Sequence, residues 1–92
     1  MKRILHLNLK AEYFNEIKNG DKIYEYRRIT PFWRKRLKDR EYDEVHIKLG
    51  YPKTGDKKRI LKFKWNGYLI KKITHKHFGR RQLYVYAIRL FA

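Results

Sequence analysis

The sequence predicts a small α+β fold, in which two short helices accompany five to six mixed strands that curl into a β-barrel. Three observations support this prediction. The chain has 92 residues, which fits a single domain covering residues 1–92. Segments with period-two alternation are interspersed with shorter segments at helical spacing. The predicted strands are short and numerous, and a curled sheet would bury them and protect their edges.

The first strand is predicted over residues 3–9, because leucine occupies every second position from Leu5 onward. Residues 10–19 bring apolar side chains together at helical spacing, and Gly20 follows where a C-cap glycine would end a helix. Residues 22–28 return to β-favouring side chains, so a second strand is expected there.

A second short helix is predicted over residues 31–38, because Thr30 is a good N-cap residue and a proline follows it at the first helical position. Residues 42–50 alternate apolar and polar side chains, which predicts a strand with one dry face. Residues 51–58 contain proline and turn-forming residues without apolar periodicity, and they form the main predicted loop.

Three further strands complete the predicted order. Residues 60–65 alternate again, and Asn66 and Gly67 give a strong signal for a tight turn or bulge before a strand over residues 68–73. Residues 82–91 are apolar on both faces, so this strand is expected in the middle of the sheet or closing the barrel.

Positive charge dominates the composition. The chain carries 25 Lys and Arg against 9 Asp and Glu, a net charge of +16. The excess is uneven, since the first 44 residues hold 12 basic and 8 acidic side chains and the other 48 hold 13 and 1. Lysines and arginines that bind a polyphosphate release its condensed counterions, which favours binding, so a nucleic acid is the leading partner. The basic residues also interleave with aromatic ones, as in proteins that bind single strands.

Other classes of protein fit the composition less well. Cysteine is absent, which excludes a disulfide scaffold and a thiolate zinc site and fits a reducing, cytoplasmic location. The basic and then apolar start of the chain is too interrupted for a signal peptide, and no long basic amphipathic helix is visible. We therefore expect no membrane partner, no protein partner and no cofactor.

The stretch NGDKIYEYRR contains the pattern G-x-K-x-x-E-x-R, with Gly20, Lys22, Glu25 and Arg27 at its four fixed positions. This pattern resembles the signature of ASCH domains, a branch of the PUA-like barrels. The following EYRRITPFWRKRL and the closing YVYAIRL are also similar to short bacterial and phage members of that family. The resemblance covers nearly the whole chain. It implies a small β-barrel with a cleft lined by the signature residues, which binds or processes RNA or modified nucleosides.

The resemblance also implies candidate reactions. Some ASCH proteins of this size remove the acyl group from N4-acetylated cytidine with a lysine and a threonine nucleophile, and others resemble ribonucleases on single-stranded RNA. The lysine corresponds to Lys22, whereas the position of the threonine holds Glu25. This departure argues against the acetylcytidine reaction, and only Lys22 is common to every version of the activity.

Strand geometry raises a difficulty for a shared site. Side chains alternate along a strand, so Glu25 and Arg27 share one face and Lys22 and Tyr24 share the other. A bend or bulge just after Gly20 would bring the Lys22 ammonium into the same cleft. On that basis Lys22 and Glu25 are the predicted catalytic pair, with Lys22 as the base, and the predicted ligand-binding residues are Lys22, Glu25, Arg27 and Tyr24. The structural alternative is an ion pair between Glu25 and Arg27 that only fixes the strand, with Lys22 solvated.

Other candidate chemistry is weaker. His75 and His77 are two residues apart, as in a strand-borne metal pair, but no third ligand is evident and the surrounding cations disfavour a metal, so no metal site is predicted. The chain contains no serine, which leaves Thr30, Thr54 and Thr74 as the possible hydroxyl nucleophiles. Each fits a cap, turn or strand role better.

The basic residues form two predicted patches. One is the second helix, where cations flank Trp33, and the other spans residues 57–72. Trp33 fits one helical face with Phe32 and Leu37, which favours a core position over a stacking platform. The predicted nucleic-acid-binding residues are Arg28, Trp33, Arg34, Lys35, Lys62, Lys64, Lys71 and Lys72.

Three functions follow from these features. The leading hypothesis is a domain that binds RNA or a modified nucleoside around Lys22, Glu25 and Arg27. The first alternative is a hydrolase of RNA or of an acylated pyrimidine nucleoside. The second alternative is a non-catalytic, basic structural protein associated with RNA.

Overall fold

The computed structural model describes residues 1–53, 56–74 and 81–90. It shows a small α+β fold, as the sequence predicts, with two helices and six strands in the described residues. In chain order the elements are β1 (Ile4–Leu9), α1 (Ala11–Lys18), β2 (Tyr24–Arg28), α2 (Pro31–Leu37), β3 (Glu44–Leu49), a 3-10 turn (Lys57–Arg59), β4 (Ile60–Lys64), β5 (Tyr68–Ile73) and β6 (Leu83–Arg89).

The six strands form two three-stranded sheets. In the first sheet β3 lies between β1 and β4, parallel to β1 and antiparallel to β4. In the second sheet β6 lies between β2 and β5 and is antiparallel to both. The predicted central position of the last strand is therefore confirmed. Across residues 1–53, 56–74 and 81–90 no strand ladder joins the two sheets, so closure into a barrel remains a prediction.

The turn at Asn66 and Gly67 connects the two sheets. Gly67 has a φ of +76°, a left-handed conformation that glycine adopts without strain, so the turn signal is correct for the backbone. The strands on either side do not form a hairpin, however, because β4 pairs with β3 and β5 pairs with β6. The chain changes sheets at this point, which leaves both β4 and β5 at a sheet edge.

Both helices have the ends that the sequence predicts. Gly20, with a φ of +81°, donates its N–H to the carbonyl of Ile17 at 3.1 Å just beyond α1. The Thr30 Oγ1 accepts the N–H of Trp33 at 3.3 Å, and Pro31 is the first residue of α2. The observed elements are one to three residues shorter than predicted at most ends, where the backbone leaves its ladder.

The core lies between α1, the end of α2 and the inner faces of the two sheets. Its buried side chains alternate along the strands, as period-two patterning predicts. The buried members of the cluster are Leu5, Leu7, Leu9, Phe14, Ile17, Leu37, Val45, Ile47, Tyr86, Ile88 and Leu90. Only Glu25 and His46 are buried polar residues in the described part of the chain. None of the helices described there has the length and apolar character needed to cross a membrane.

Candidate ligand-binding cleft

A cleft of about 520 Å³ opens beside β2, which is an edge strand of the second sheet. Its walls come from the end of β1, from α1, from β2 and from the start of α2. All three charged signature residues lie in this cleft. The lining residues are Asn8, Leu9, Lys10, Tyr13, Lys22, Glu25, Tyr26, Arg27, Arg28, Thr30, Phe32 and Trp33.

Lys22 reaches the cleft because it precedes β2 and does not belong to the strand. After the left-handed Gly20, the N–H groups of Asp21 and Lys22 both donate to the carbonyl of Glu16, at 2.9 and 3.2 Å. These two hydrogen bonds turn the backbone over the end of α1, so Lys22 does not follow the side-chain alternation of β2. Its Nζ lies 3.1 Å from Oε1 of Glu25. The predicted bend therefore exists, and it joins the two side chains that strict alternation would separate.

Arg27 holds the other oxygen of the same carboxylate. One of its terminal nitrogens donates to Oε2 of Glu25 at 2.9 Å and to the carbonyl of Asn8 at 3.2 Å. Its guanidinium carbon lies 4.9 Å from the ring centroid of Trp33. The Arg27 Nε is buried and has no hydrogen-bond partner among the described residues. Arg27 thus links β2 to the end of β1 and to α2.

We call Lys22, Glu25 and Arg27 the Glu25 cluster. The Glu25 carboxylate is only 7% exposed, and its two cations are 15% and 20% exposed. Two positive charges face one negative charge, so the cluster carries a net positive charge in a largely desolvated place. Lys10 and Arg28 add to this charge at the cleft wall. An anionic or strongly hydrogen-bond-accepting ligand matches that field.

Two tyrosine rings enclose the Lys22 ammonium. Its Nζ lies 5.3 Å from the ring centroid of Tyr13 and 5.1 Å from that of Tyr26, within cation–π range. Neither ring was among the predicted site residues. The sequence spacing of Tyr13, Phe14 and Ile17 predicts that all three lie on the apolar face of the first helix. Of these, only Phe14 and Ile17 are fully buried. The sequence signal that could have identified Tyr13 is its hydroxyl at the rim of that face.

Tyr24 is the one predicted ligand-binding residue that lies outside the cleft lining, and its role in binding stays a prediction. Its side chain belongs to the strand face opposite Glu25 and Arg27. There its ring stacks near that of Tyr26, at 6.3 Å, and contacts the ammonium of Lys71 at 4.1 Å from the ring centroid. Lys22 was expected to share this face, but it leaves it through the bend.

The second helix presents its aromatic residues differently from the prediction of one buried face. Leu37 is fully buried and Trp33 is half-buried, whereas Phe32 is 54% exposed. Both aromatic rings line the cleft and meet edge to face at 5.0 Å. Trp33 therefore has both positions: it packs against the core, and it also forms a wall of the cleft.

The predicted nucleic-acid-binding residues fall into separate places. Arg28 lies with Trp33 at the cleft, and Arg34 and Lys35 are exposed on α2. The patch predicted over residues 57–72 is divided between the two sheets. Its cations on β4, the exposed Lys62 and Lys64, belong to the first sheet. Its cations on β5, the half-buried Lys71 and the exposed Lys72, belong to the second. These residues do not form one continuous surface along the chain.

A second carboxylate cluster lies on the outer face of the first sheet. Glu44 binds the Lys2 Nζ at 3.0 Å and the His46 Nε2 at 2.9 Å, and we call these three residues the Glu44 cluster. The hydrogen bonds from His46 and Lys2 lower the pKa of Glu44. The ring of His6 lies 5.5 Å from that of His46, and partial burial, Lys48 and His46 lower its pKa.

The remaining candidates for chemistry are few. Within residues 1–53, 56–74 and 81–90, no group of three metal-ligating side chains is found. His75, His77 and Thr54 lie outside the described residues. Thr74 is exposed just after β5, away from the cleft lining. Thr30 lines the cleft and also caps α2.

Comparisons of this chain with protein-family models, with curated proteins and with solved structures found no match.

Proposed function

We propose that this chain is an ASCH-type, PUA-like barrel domain that binds RNA or a modified nucleoside in the cleft around the Glu25 cluster. The observation that carries this proposal is the convergence of Lys22, Glu25 and Arg27 in one cleft, despite the alternation of the strand. A purely structural ion pair would not require Lys22 to leave the strand face and approach Glu25.

The composition of the cleft suits a nucleoside. Planar rings from Tyr13, Tyr26 and Trp33 offer surfaces on which a base stacks. The carboxylate of Glu25 accepts hydrogen bonds, and the cations beside it donate to base carbonyls or phosphate oxygens.

The binding proposal is tested with Lys22→Ala and a panel of nucleosides, monitored by calorimetry and by NMR shifts of the cleft residues. Lys22→Ala should weaken binding at least tenfold, because it removes a charge-assisted hydrogen-bond donor from a desolvated site. Lys18→Ala is the matched control, since Lys18 is an exposed lysine of α1 outside the cleft lining. Equal affinities for both variants and the unmodified protein would overturn the proposal.

The charge argument is tested by measuring RNA affinity at several salt concentrations. The affinity should fall steeply with salt, and Lys22→Ala should reduce the slope of log affinity against log salt by only about one. A flat dependence would exclude a polyanionic partner.

A hydrolase is the second candidate, and the position of Thr30 favours it. The chain lacks serine and cysteine, and Thr30 is the one hydroxyl-bearing Ser or Thr residue of the cleft lining. In its neutral form Lys22, oriented by Glu25, would take the proton from the Thr30 hydroxyl or from water as that oxygen bonds to the acyl carbon or phosphorus. The bond to the leaving amine or alcohol would break, and that group would take the proton from Lys22. Water would then hydrolyse any intermediate formed on Thr30.

The hydrolase is tested by incubating the protein with total RNA and with acylated pyrimidine nucleosides, followed by mass analysis of the products. Thr30→Asn keeps a strong N-cap for α2 but removes the hydroxyl nucleophile, and Thr30→Ser keeps both. A product that requires Lys22 and is retained in Thr30→Ser but lost in Thr30→Asn supports a threonine nucleophile. A product made equally well by Lys22→Ala excludes Lys22 as the base.

A further inference from the structure

Tyr24 and Tyr26 lie on the outer face of the second sheet. Tyr24 is opposite Arg89 on β6, and Tyr26 is opposite Ala87. Ala87 and Val85 are fully buried although they do not belong to the core cluster, so larger neighbours on this face must cover them. The tyrosine rings are therefore part of a surface layer outside the core.

The two rings connect the cleft to that outer face. They are nearly parallel, at an angle of 16° and a centroid distance of 6.3 Å. The Lys22 ammonium lies 5.1 Å from the Tyr26 ring, and the Lys71 ammonium lies 4.1 Å from the Tyr24 ring. We call these four residues the tyrosine row, in the order Lys22, Tyr26, Tyr24, Lys71. The row starts in the cleft, since Lys22 and Tyr26 line it, and ends on β5.

We infer that the tyrosine row binds the nucleotides that flank the cleft-bound one, as a track for single-stranded RNA across the edge of the second sheet. This inference rests on the proposed binding of a nucleotide in the cleft. Every base has a π face that stacks on tyrosine regardless of sequence, and each terminal ammonium can pair with a phosphate. A duplex keeps its base faces within its own stack, so the row selects for single strands.

The charge of this face supports an RNA track. Besides Lys71, the outer face of β2, β5 and β6 carries Arg28 and Arg89, and the register places no Asp or Glu on it within these three strands. The outer face of the first sheet differs in both respects. Its strands place no Tyr, Phe or Trp outward, and Lys64 lies opposite Glu44. Of the two outer faces, only that of the second sheet carries both cations and tyrosine rings.

Fluorescence anisotropy with an eight-nucleotide oligouridylate, an abasic backbone of the same length and an RNA duplex tests the track. Tyr24→Leu keeps an apolar side chain on this face but removes the stacking ring, and it should weaken oligouridylate binding by roughly 5- to 100-fold. The same variant should leave abasic-backbone binding unchanged. Tyr24→Phe should bind like the unmodified protein, because it keeps the ring.

Lys71→Gln should weaken oligouridylate and abasic-backbone binding alike, and Lys18→Gln, the same charge change on an exposed residue of α1, should weaken both less. Tyr24→Leu binding as tightly as Tyr24→Phe, or a duplex binding as tightly as the single strand, would overturn the track. Nucleoside binding separates the two proposals. If nucleosides bind and Lys22→Ala abolishes their binding, but Tyr24→Leu does not affect the oligouridylate, only the track fails. If neither the nucleosides nor the oligouridylate bind, the proposed function itself fails.

Discussion

The Glu25 cluster and the Glu44 cluster have the same design and different surroundings. In each, one carboxylate holds two basic side chains, one through each oxygen, at 2.9 to 3.1 Å. The Glu25 carboxylate is 7% exposed and the Glu44 carboxylate is 26% exposed. The lysines of the two clusters also differ in exposure. Lys22 of the Glu25 cluster is 15% exposed, whereas Lys2 of the Glu44 cluster is 68% exposed.

This difference in burial distinguishes the Glu25 cluster, a candidate ligand site, from the more exposed Glu44 cluster. Around Glu44 water screens the charge of the exposed Lys2 and can replace it, so that ion pair contributes little. Around Glu25 the charges have lost most of their water, and their orientation is fixed by the backbone bend, Asn8 and Trp33. Fixed, desolvated charges are those that recognise a ligand strongly.

The largest expected effect is that of Glu25→Ala on stability. It leaves two cations facing each other in a desolvated place, and the free energy of unfolding should fall by about 3 kcal/mol. Urea unfolding followed by tryptophan fluorescence measures this change. The corresponding Glu44→Ala variant should lose less, because Lys2 is 68% exposed and the Glu44 carboxylate is itself more exposed than that of Glu25. Equal losses for the two variants would contradict the distinction drawn between the clusters.

Much of this fold was predictable because local signals dominate it. Thr30 and Gly20 mark helix ends by their own side-chain and backbone chemistry, and leucine alternation in β1 identifies the core face. The change of sheet at Gly67 was not predictable, because the same turn signal serves a hairpin or a crossover. Strand pairing depends on packing between distant segments, which local patterns do not encode.

The site was predictable in part for the same reason. The bend that brings Lys22 to Glu25 follows from Gly20, a residue visible in the sequence. The contribution of Asn8 depends on how β1 lies against β2, and nothing in its local sequence indicates it. The contribution of Tyr13 depends on how α1 packs near Lys22, and its hydroxyl on the apolar helix face is the only local signal. Tyr24 lies on the strand face that alternation assigns to it, whereas Lys22 leaves that face through the bend.

Arg27→Lys should have the next largest effect. Lysine keeps the charge but loses the rigid, planar guanidinium whose terminal nitrogen donates to both Glu25 and Asn8, and it stacks less well on Trp33. The free energy of unfolding should fall by about 1 to 2 kcal/mol, with a change in tryptophan emission. Arg34→Lys is the matched control on the exposed side of α2 and should change stability by less than about 0.5 kcal/mol. Equal effects of the two substitutions would show that the guanidinium of Arg27 contributes nothing to stability beyond its charge.

The smallest expected effect concerns pH and the first sheet. The pKa of His6 is lowered from 6.5 by partial burial, Lys48 and His46, so the unfolded chain binds a proton more readily than the fold does. Stability is therefore lost as the pH falls below 6.5. Glu44, whose pKa is lowered from 4.5 by its bonds to His46 and Lys2, adds a loss below pH 4.5.

Substitutions separate the two contributions to this pH dependence. His6→Asn should flatten the melting temperature just below pH 6.5 while leaving the acid limb, and Glu44→Gln should reduce the limb below pH 4.5. Thermal unfolding of both variants between about pH 3 and 8 measures the two effects. A His6→Asn profile that superimposes on that of the unmodified protein would contradict a lowered pKa of His6 in the fold.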